Sequence, residues 1–418
     1  MAIDKVKIST ISKYMISPIE NYLNIDSVAA EGKEKFENYI YRMKSSNYRG
    51  DSDPSIDTLL KNISEAIKRS IGDKRVLLLL SDGKDSMSLA VALANLNIKC
   101  ETLTLLRTDD IELKSFVEEK AYELGHTPHF IDSNTILDSF DINYFLDACS
   151  KMNQPVMDQG FIYFLFGLKT FFEKKSLNVD EYVVLDGLGN DETFGYIPSS
   201  TQLKSYYLSR FGLWKLIPKH LNFLKWFLRS PAESHGDLSA LGCVFKFPYS
   251  FNINKYFSLI SNSNDPENII DFRAYSRGSF HDHQCMMAKA SISCEQIGTS
   301  VEFPWLDKQL AEYTFNLPVR SKYDFRKLEN KLLLRQLLVN NISWSQSKRG
   351  VDLYFDLDYE LFLDNTLGSM ISTAHRDELT TSKLPNYVKK RAALELVNLY
   401  GYCLSKGMKQ KEINDLIG

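Results

Sequence analysis

Residues 75–93, RVLLLLSDGKDSMSLAVAL, decide how the rest of the chain is read. Val76 to Leu80 form an unbroken apolar run, the pattern of a strand buried on both faces. Ser81-Asp82-Gly83-Lys84-Asp85-Ser86 is a short polar turn, and from Met87 the residues are good helix formers with apolar positions at helical spacing. A strand, a loop of small residues and a helix start leave backbone N–H groups unpaired at the positive end of a helix dipole. Such a place binds anions, phosphate above all. The same pattern also suits an ordinary strand-to-helix turn capped by Ser and Asp, and local chemistry alone leaves both readings open.

Working outward, residues 55–71 (SIDTLLKNISEAIKRSI) carry apolar residues at helical spacing and predict an amphipathic helix leading into the strand. Downstream, residues 100–106 (CETLTLL) predict a second strand. Residues 113–124 (LKSFVEEKAYEL) predict a helix stopped by Gly125, and His129 to Ile131 a third strand. Alternation of strands with helix-length connections implies an α/β fold with a doubly wound parallel sheet. Nucleotides bind such sheets beyond the C-terminal strand ends, which is where Ser81 to Ser86 would lie.

A helix over 161–174 is followed by residues 181–196, EYVVLDGLGNDETFGY. Tyr182 to Leu185 is another buried-strand run, and Asp186, Gly187, Gly189, Asn190, Asp191 and Glu192 make a second strand-end loop of glycines and carboxylates. If both strands share one parallel sheet, Asp85 and Asp191 emerge on the same edge. Two carboxylates facing a polyphosphate suit Mg²⁺, which takes a few protein oxygens and completes its shell with phosphate and water. A capped acidic turn with no ligand fits the same residues.

Composition bounds the function. The 418 residues suffice for one large or two medium domains, and a formal charge of −3 argues against a general nucleic-acid binder. The six cysteines, at 100, 149, 243, 285, 294 and 403, show no CxxC spacing and suggest reduced, mostly buried thiols in a cytoplasmic protein. No apolar leader and no 18-residue apolar run is present, so neither secretion nor a membrane span is expected. The aromatic and basic segment 202–230 is broken by Pro218 and reads as a core or partner-facing helix in preference to a membrane-surface one. His281-Asp282-His283 alternates, which on a helix points the imidazoles apart and disfavours a metal site. Residues 1–55 read as an N-terminal extension ending in a linker, 56–418 as the main domain, mostly helical after about 256. Neither GxxxxGK[ST] nor GxGxxG occurs, so P-loop NTPase and dinucleotide readings lose their support.

Taken together, the motifs resemble the synthetase domain of asparagine synthetases and β-lactam synthetases, within the ATP-pyrophosphatase (PP-loop) superfamily. SDGKDS (81–86) resembles the SGGxDS pyrophosphate loop, and DGLGNDETFGY (186–196) resembles SGEGSDExFGGY. FPWLDKQLAEYTFNLP (303–318), KLLLR (331–335), SKRG (347–350) and NQPVMD (153–158) are similar to PFLDxxLxEFxxxLP, KxxLR, KxGF and EPxxD. The set keeps the family's order and roughly its spacing from about 55 to about 355.

The resemblance implies an adenine-nucleotide alpha hydrolase-like sheet and ATP cleavage between the α and β phosphates. A substrate carboxylate is adenylated, and ammonia or an amine then displaces AMP to leave an amide. It implies that Ser81, Gly83 and Ser86 cradle the pyrophosphate, that Asp82, Lys84, Asp85 and Gly187 belong to the same nucleotide-binding site, and that Asp85 and Asp191 hold Mg²⁺. Lys348 is implied to stabilise charge developing on the reacting phosphate. Leu105 and nearby backbone are expected at the adenine. Lys331 and Arg335 are either phosphate contacts or ordinary charged helix positions.

Three departures from the pattern stand out. Asp82 replaces a loop glycine and is expected to turn outward or help bind Mg²⁺. Leu188 replaces a glutamate associated with amide formation, which shifts expectation from asparagine synthesis toward another acid, such as a sugar acid of surface polysaccharide or a specialised metabolite. With Met-Ala at the start of the sequence and no cysteine nucleophile before the phosphate loop, a glutaminase domain with an N-terminal cysteine is not expected. Nitrogen is therefore expected from free ammonia, a separate glutaminase or an amine substrate. Two other readings are weighed: a PP-loop sulfur-transfer or tRNA-modifying enzyme, prompted by Lys84, and a catalytically inactive nucleotide-binding homologue, prompted by Asp82 and Leu188. The carboxylate, the nitrogen donor and the oligomeric state are not legible.

Overall fold

A computed structural model describes residues 52–107, 110–152, 155–156, 158–196, 200–209, 286–345, 366–383 and 385–417. Lys348, the 281–283 triplet, nearly all of the 1–55 extension and most of the 202–230 segment lie outside the described residues.

The elements run α1 (Ile56–Ile71), β1 (Arg75–Leu79), α2 (Lys84–Asn95), β2 (Glu101–Leu106), α3 (Ile111–Glu123), β3 (Thr127–Asp132), α4 (Ser133–Asp138), α5 (Ile142–Ser150), α6 (Phe161–Lys175), β4 (Tyr182–Leu185), α7 (Asn190–Thr193) and α8 (Ser200–Ser209). Beyond the undescribed stretch come α9 (Ala288–Ile297), β5 (Ser300–Glu302), α10 (Lys308–Phe315), α11 (Val319–Lys322), β6 (Tyr323–Asp324), β7 (Glu329–Asn330) and α12 (Leu332–Ile342). Then follow α13 (Thr366–Ser369), α14 (Thr373–Thr381), α15 (Asn386–Ser405) and α16 (Gln410–Ile417). The helical C-terminal portion and the α/β class match the sequence expectation.

The five-stranded sheet has the order β3-β2-β1-β4-β5, and every pairing in it is parallel. Successive strands step outward from β1 to β3, and the chain then crosses back to place β4 on the other side of β1. That reversal puts a topological switch point between β1 and β4, where a crevice opens at the C-terminal strand ends. The register Leu78↔Leu185 brings the ends of these two strands level, so the loops after them face one another.

β1 and β4 feed both faces. Leu77, Leu79, Tyr182 and Val184 join one buried cluster with α5, α6 and α15 residues. Val76, Leu78, Val183 and Leu185 join the other, with α1, α2 and α12 residues. This two-sided burial is why the runs are continuously apolar instead of alternating. The helix expected over 55–71 is present as α1, and Ser55 caps it as its side chain accepts the Thr58 N–H. Described cysteines 100, 149, 294 and 403 are free and buried.

Two differences from the sequence reading matter. Helix α2 begins at Lys84, with Gly83 as N-cap, three positions before the expected start. Lys84, Asp85 and Ser86 are thus its first turn, fixed by helical geometry. The short strand β5 was not anticipated: three residues, with Ser and Glu at its ends, carry no readable period. No helix among the described residues is long and apolar enough to cross a membrane.

Candidate active site

The phosphate loop closes on itself. Ser86 Oγ accepts the Ser81 backbone N–H at 3.1 Å and lies 3.0 Å from Ser81 Oγ, which in turn accepts the Gly83 N–H at 3.2 Å. Two indoles brace it from outside: Trp344 Nε1 donates to the Asp82 carbonyl at 3.0 Å, and Trp305 Nε1 to the Asp85 carbonyl at 3.4 Å. Holding carbonyls outward leaves the first-turn N–H groups of α2 as the loop's inner lining.

The second loop meets it closely. Gly187 packs so tightly that a Cβ there would stand 2.6 Å from the Ser86 nitrogen and 2.8 Å from the Asp85 carbonyl carbon. Gly189 has φ of 107°, which a side-chain-bearing residue rarely adopts, and it turns the chain into α7. Asn190 and Asp191 are the first residues of that short helix.

The two loops converge on Lys331. Its Nζ donates to both oxygens of Asp85 at 3.0 Å, lies 2.5 Å from Asp191 Oδ1 and donates to Asn190 Oδ1. Asn190 Nδ2 donates to Asp85 Oδ1 at 2.8 Å. The Lys331 side chain is fully buried, whereas those of Asp85 and Asp191 are 31% and 32% exposed, so the carboxylates face outward from a buried cation. Burial would raise the Asp85 pKa, but Lys331 and then Lys84 more than offset it and hold the group below its usual value. Burial likewise opposes the Lys331 charge, and Asp191 and Asp85 outweigh it, holding the ammonium above the usual lysine value. Lys84 is pushed down by burial and then by the Lys331 charge.

Lys331 is aimed by its backbone. It sits between β7 and α12 at φ 55° and ψ 45°, a left-handed conformation that costs a non-glycine residue about 1–2 kcal/mol. Asn330 Nδ2 donates to the Gly195 carbonyl and Arg335 Nε to the Asn330 carbonyl, both at 2.8 Å, tying this corner to the end of the acidic loop. Lys322, also fully buried, donates to the Thr193 and Phe315 carbonyls.

Behind the loops lies a buried polar group. Asp186, at the end of β4, uses Oδ1 to accept the Leu188 N–H at 3.0 Å, while Oδ2 is buried without a hydrogen-bond partner. Burial raises its pKa to about 6, against the opposing effect of Lys289. Lys289 pairs at 3.2 Å with Asp158, and both are nearly inaccessible.

Ser81 to Ser86, Gly187, Asp191, Lys331 and Arg335 are therefore gathered at the switch point. Leu105 stands on the second half of β2, and its side chain fills the space opposite Gly167 of α6, where a Cβ would approach it to 2.5 Å. Asn190, Trp344, Trp305 and Asp186 were not singled out from the sequence as site residues. Asn190 flanks Asp191 in a loop already marked, and Trp305 lies within the 303–318 motif; Trp344 gave no local signal.

Among the described residues no group of three or more His, Cys, Asp or Glu could hold a metal alone. The all-oxygen pair Asp85 and Asp191 nevertheless converges on one cation, and Mg²⁺ needs only one or two protein carboxylates when phosphates supply the rest. The donor set fits that ion.

No curated protein matches the chain. The sequence profile of the asparagine synthase family does, over residues 58–402, a span that takes in both loops, the Lys331 corner and the chain through most of α15. Members of that family are ATP-dependent ligases that use ATP, typically with Mg²⁺, to join a carboxylate to nitrogen from ammonia or glutamine. A match of that extent, on a fold whose two loops meet at the switch point, means that the chain belongs to the asparagine synthase family.

Proposed function

We propose that this protein adenylates a substrate carboxylate with ATP, releases pyrophosphate, and passes the acyl group to ammonia or an amine to form an amide. The observation that carries the reading is the convergence of Asp85 and Asp191, from neighbouring parallel strand ends, on the Lys331 ammonium. In this scheme a carboxylate oxygen attacks the α-phosphorus and the bond to the bridging oxygen of pyrophosphate breaks. The nitrogen nucleophile then attacks the acyl carbon, loses a proton and expels AMP.

The chain's residues divide the work. N–H groups at the start of α2, with Ser81 and Ser86, bind the β and γ phosphates and pull charge toward the leaving group. Lys84, Lys331 and Arg335 supply positive charge around the same oxygens. Asp85 and Asp191 would hold Mg²⁺, which would supply positive charge to offset that of the departing pyrophosphate. Lys348, outside the described residues, stabilises charge developing at the α-phosphate. Its place in the chain supports this role: it follows by four residues Trp344, whose indole is bonded to the phosphate loop. The β2 end near Leu105 receives the adenine. With Leu188 in place of a carboxylate, the substrate is an acid other than aspartate, and the product a carboxamide or condensed amide.

Calorimetry of MgATP binding, followed by pyrophosphate release in the presence of candidate carboxylates and ammonium, tests the reading. Binding and release that both vanish in Asp85→Ala support it; release undiminished by that change overturns the site assignment.

A further inference from the structure

The point where Asp85 and Asp191 converge is held by a cation that belongs to the chain. Lys331 Nζ is within 3.0 Å of both Asp85 oxygens and 2.5 Å of Asp191 Oδ1, with Asn190 Oδ1 as a further acceptor. A divalent ion that shares those oxygens with an ammonium in contact with them is strongly disfavoured, because like charges so close and partly desolvated repel. Lys84, close enough for its charge to be felt by Lys331 and both carboxylates, adds to the barrier. Metal and lysine therefore compete for the two carboxylates.

What decides between them is what the lysine gains on leaving. Its side chain is fully buried, so an ammonium stripped of both carboxylates with nothing in exchange is a costly buried charge. Free Mg²⁺ brings no anion for it. Mg²⁺ arriving on ATP brings phosphate oxygens, and a lysine has a flexible stem and a rotatable donor head to turn toward them. The backbone need not move, since the Asn330–Gly195 and Arg335–Asn330 bonds hold that corner.

We propose that Lys331 is an internal stand-in for the metal: it holds Asp85 and Asp191 together in the nucleotide-free protein, shuts out free Mg²⁺, and releases both carboxylates only to metal that comes with phosphate. This rests on the reading of Asp85 and Asp191 as the Mg²⁺ pair. Metal and nucleotide affinities are then coupled, each strengthening the other.

The test is Mn²⁺ binding by electron paramagnetic resonance on the full chain, wild type and Lys331→Gln, with and without α,β-methylene-ATP. Wild type takes up Mn²⁺ weakly alone and tightly with the nucleotide analogue. Lys331→Gln binds Mn²⁺ without nucleotide more tightly than wild type, by roughly 5- to 150-fold, the usual range for coupled sites. Mg²⁺ alone also raises the melting temperature of Lys331→Gln and not of wild type. If the variant folds only with Mg²⁺, the same substitution of cation for cation has been observed. A variant that gains no Mn²⁺ affinity and no stability from Mg²⁺ overturns the proposal. Wild type that takes up no Mn²⁺ even with the analogue overturns the reading of the metal pair itself.

Discussion

A Cβ on Gly187 would lie 2.6 Å from the backbone nitrogen of Ser86, so the acidic loop and the phosphate loop are in backbone contact. The atoms in the way are main chain in the first turn of α2 and cannot swing aside. Gly187→Ala is expected to lower stability by about 1–3 kcal/mol through overpacking and to abolish MgATP binding. Thermal melting and calorimetry on the same preparation check both effects.

Asp85→Asn removes the charge that faces Lys331 at 3.0 Å while keeping the shape. Pyrophosphate formation is expected to fall by roughly 100-fold or more, as for other groups that stabilise charge at a reacting centre. The circular dichroism spectrum should be unchanged. Asp191→Asn should behave alike, and the double variant should lose little more than either, because the two act as one unit.

Trp344→Phe deletes the donor that meets the Asp82 carbonyl at 3.0 Å. The stability cost is about 1 kcal/mol. If that bond also presents the phosphate loop, affinity for MgATP drops about fivefold, the same free energy expressed as binding. Tryptophan fluorescence of wild type should respond to MgATP and that response should shrink in the variant.

Glu395 is fully buried on α15 and paired with Arg391 at 3.0 Å, yet burial dominates and raises its pKa from 4.5 to about 8. A carboxyl whose pKa is higher folded than unfolded binds more protons in the folded chain between the two values. Its contribution is fully present below about pH 4.5 and is lost as pH rises toward about 8. Glu395→Gln, which mimics the protonated form, should gain melting temperature relative to wild type as pH is raised from 5 to 8. A gap that stays constant with pH would contradict this.

The buried strands were legible because β1 and β4 are covered on both faces and read as apolar runs. The meeting of Asp85 and Asp191 followed from parallel order, since strand ends on one edge bring their loops together. The start of α2 was misplaced because Lys84 to Ser86 lie inside a run of polar and small residues that reads as a turn, and Gly83 caps the helix without a side-chain hydrogen bond to mark it. The role of Lys331 was left open because its direction depends on a hairpin whose strands are only two residues long and on a left-handed backbone, neither of which leaves a periodic trace. Trp344 escaped notice for a similar reason: its partner is a backbone carbonyl 262 residues away.

The central claim is cleavage of ATP between the α and β phosphates at the Asp85–Asp191–Lys331 centre. The most direct measurement separates the products of labelled ATP after incubation with a panel of carboxylates and ammonium. The account predicts AMP and pyrophosphate, dependent on the carboxylate and absent in Asp85→Ala. ADP and inorganic phosphate, or AMP formation that survives Asp85→Ala, would contradict it.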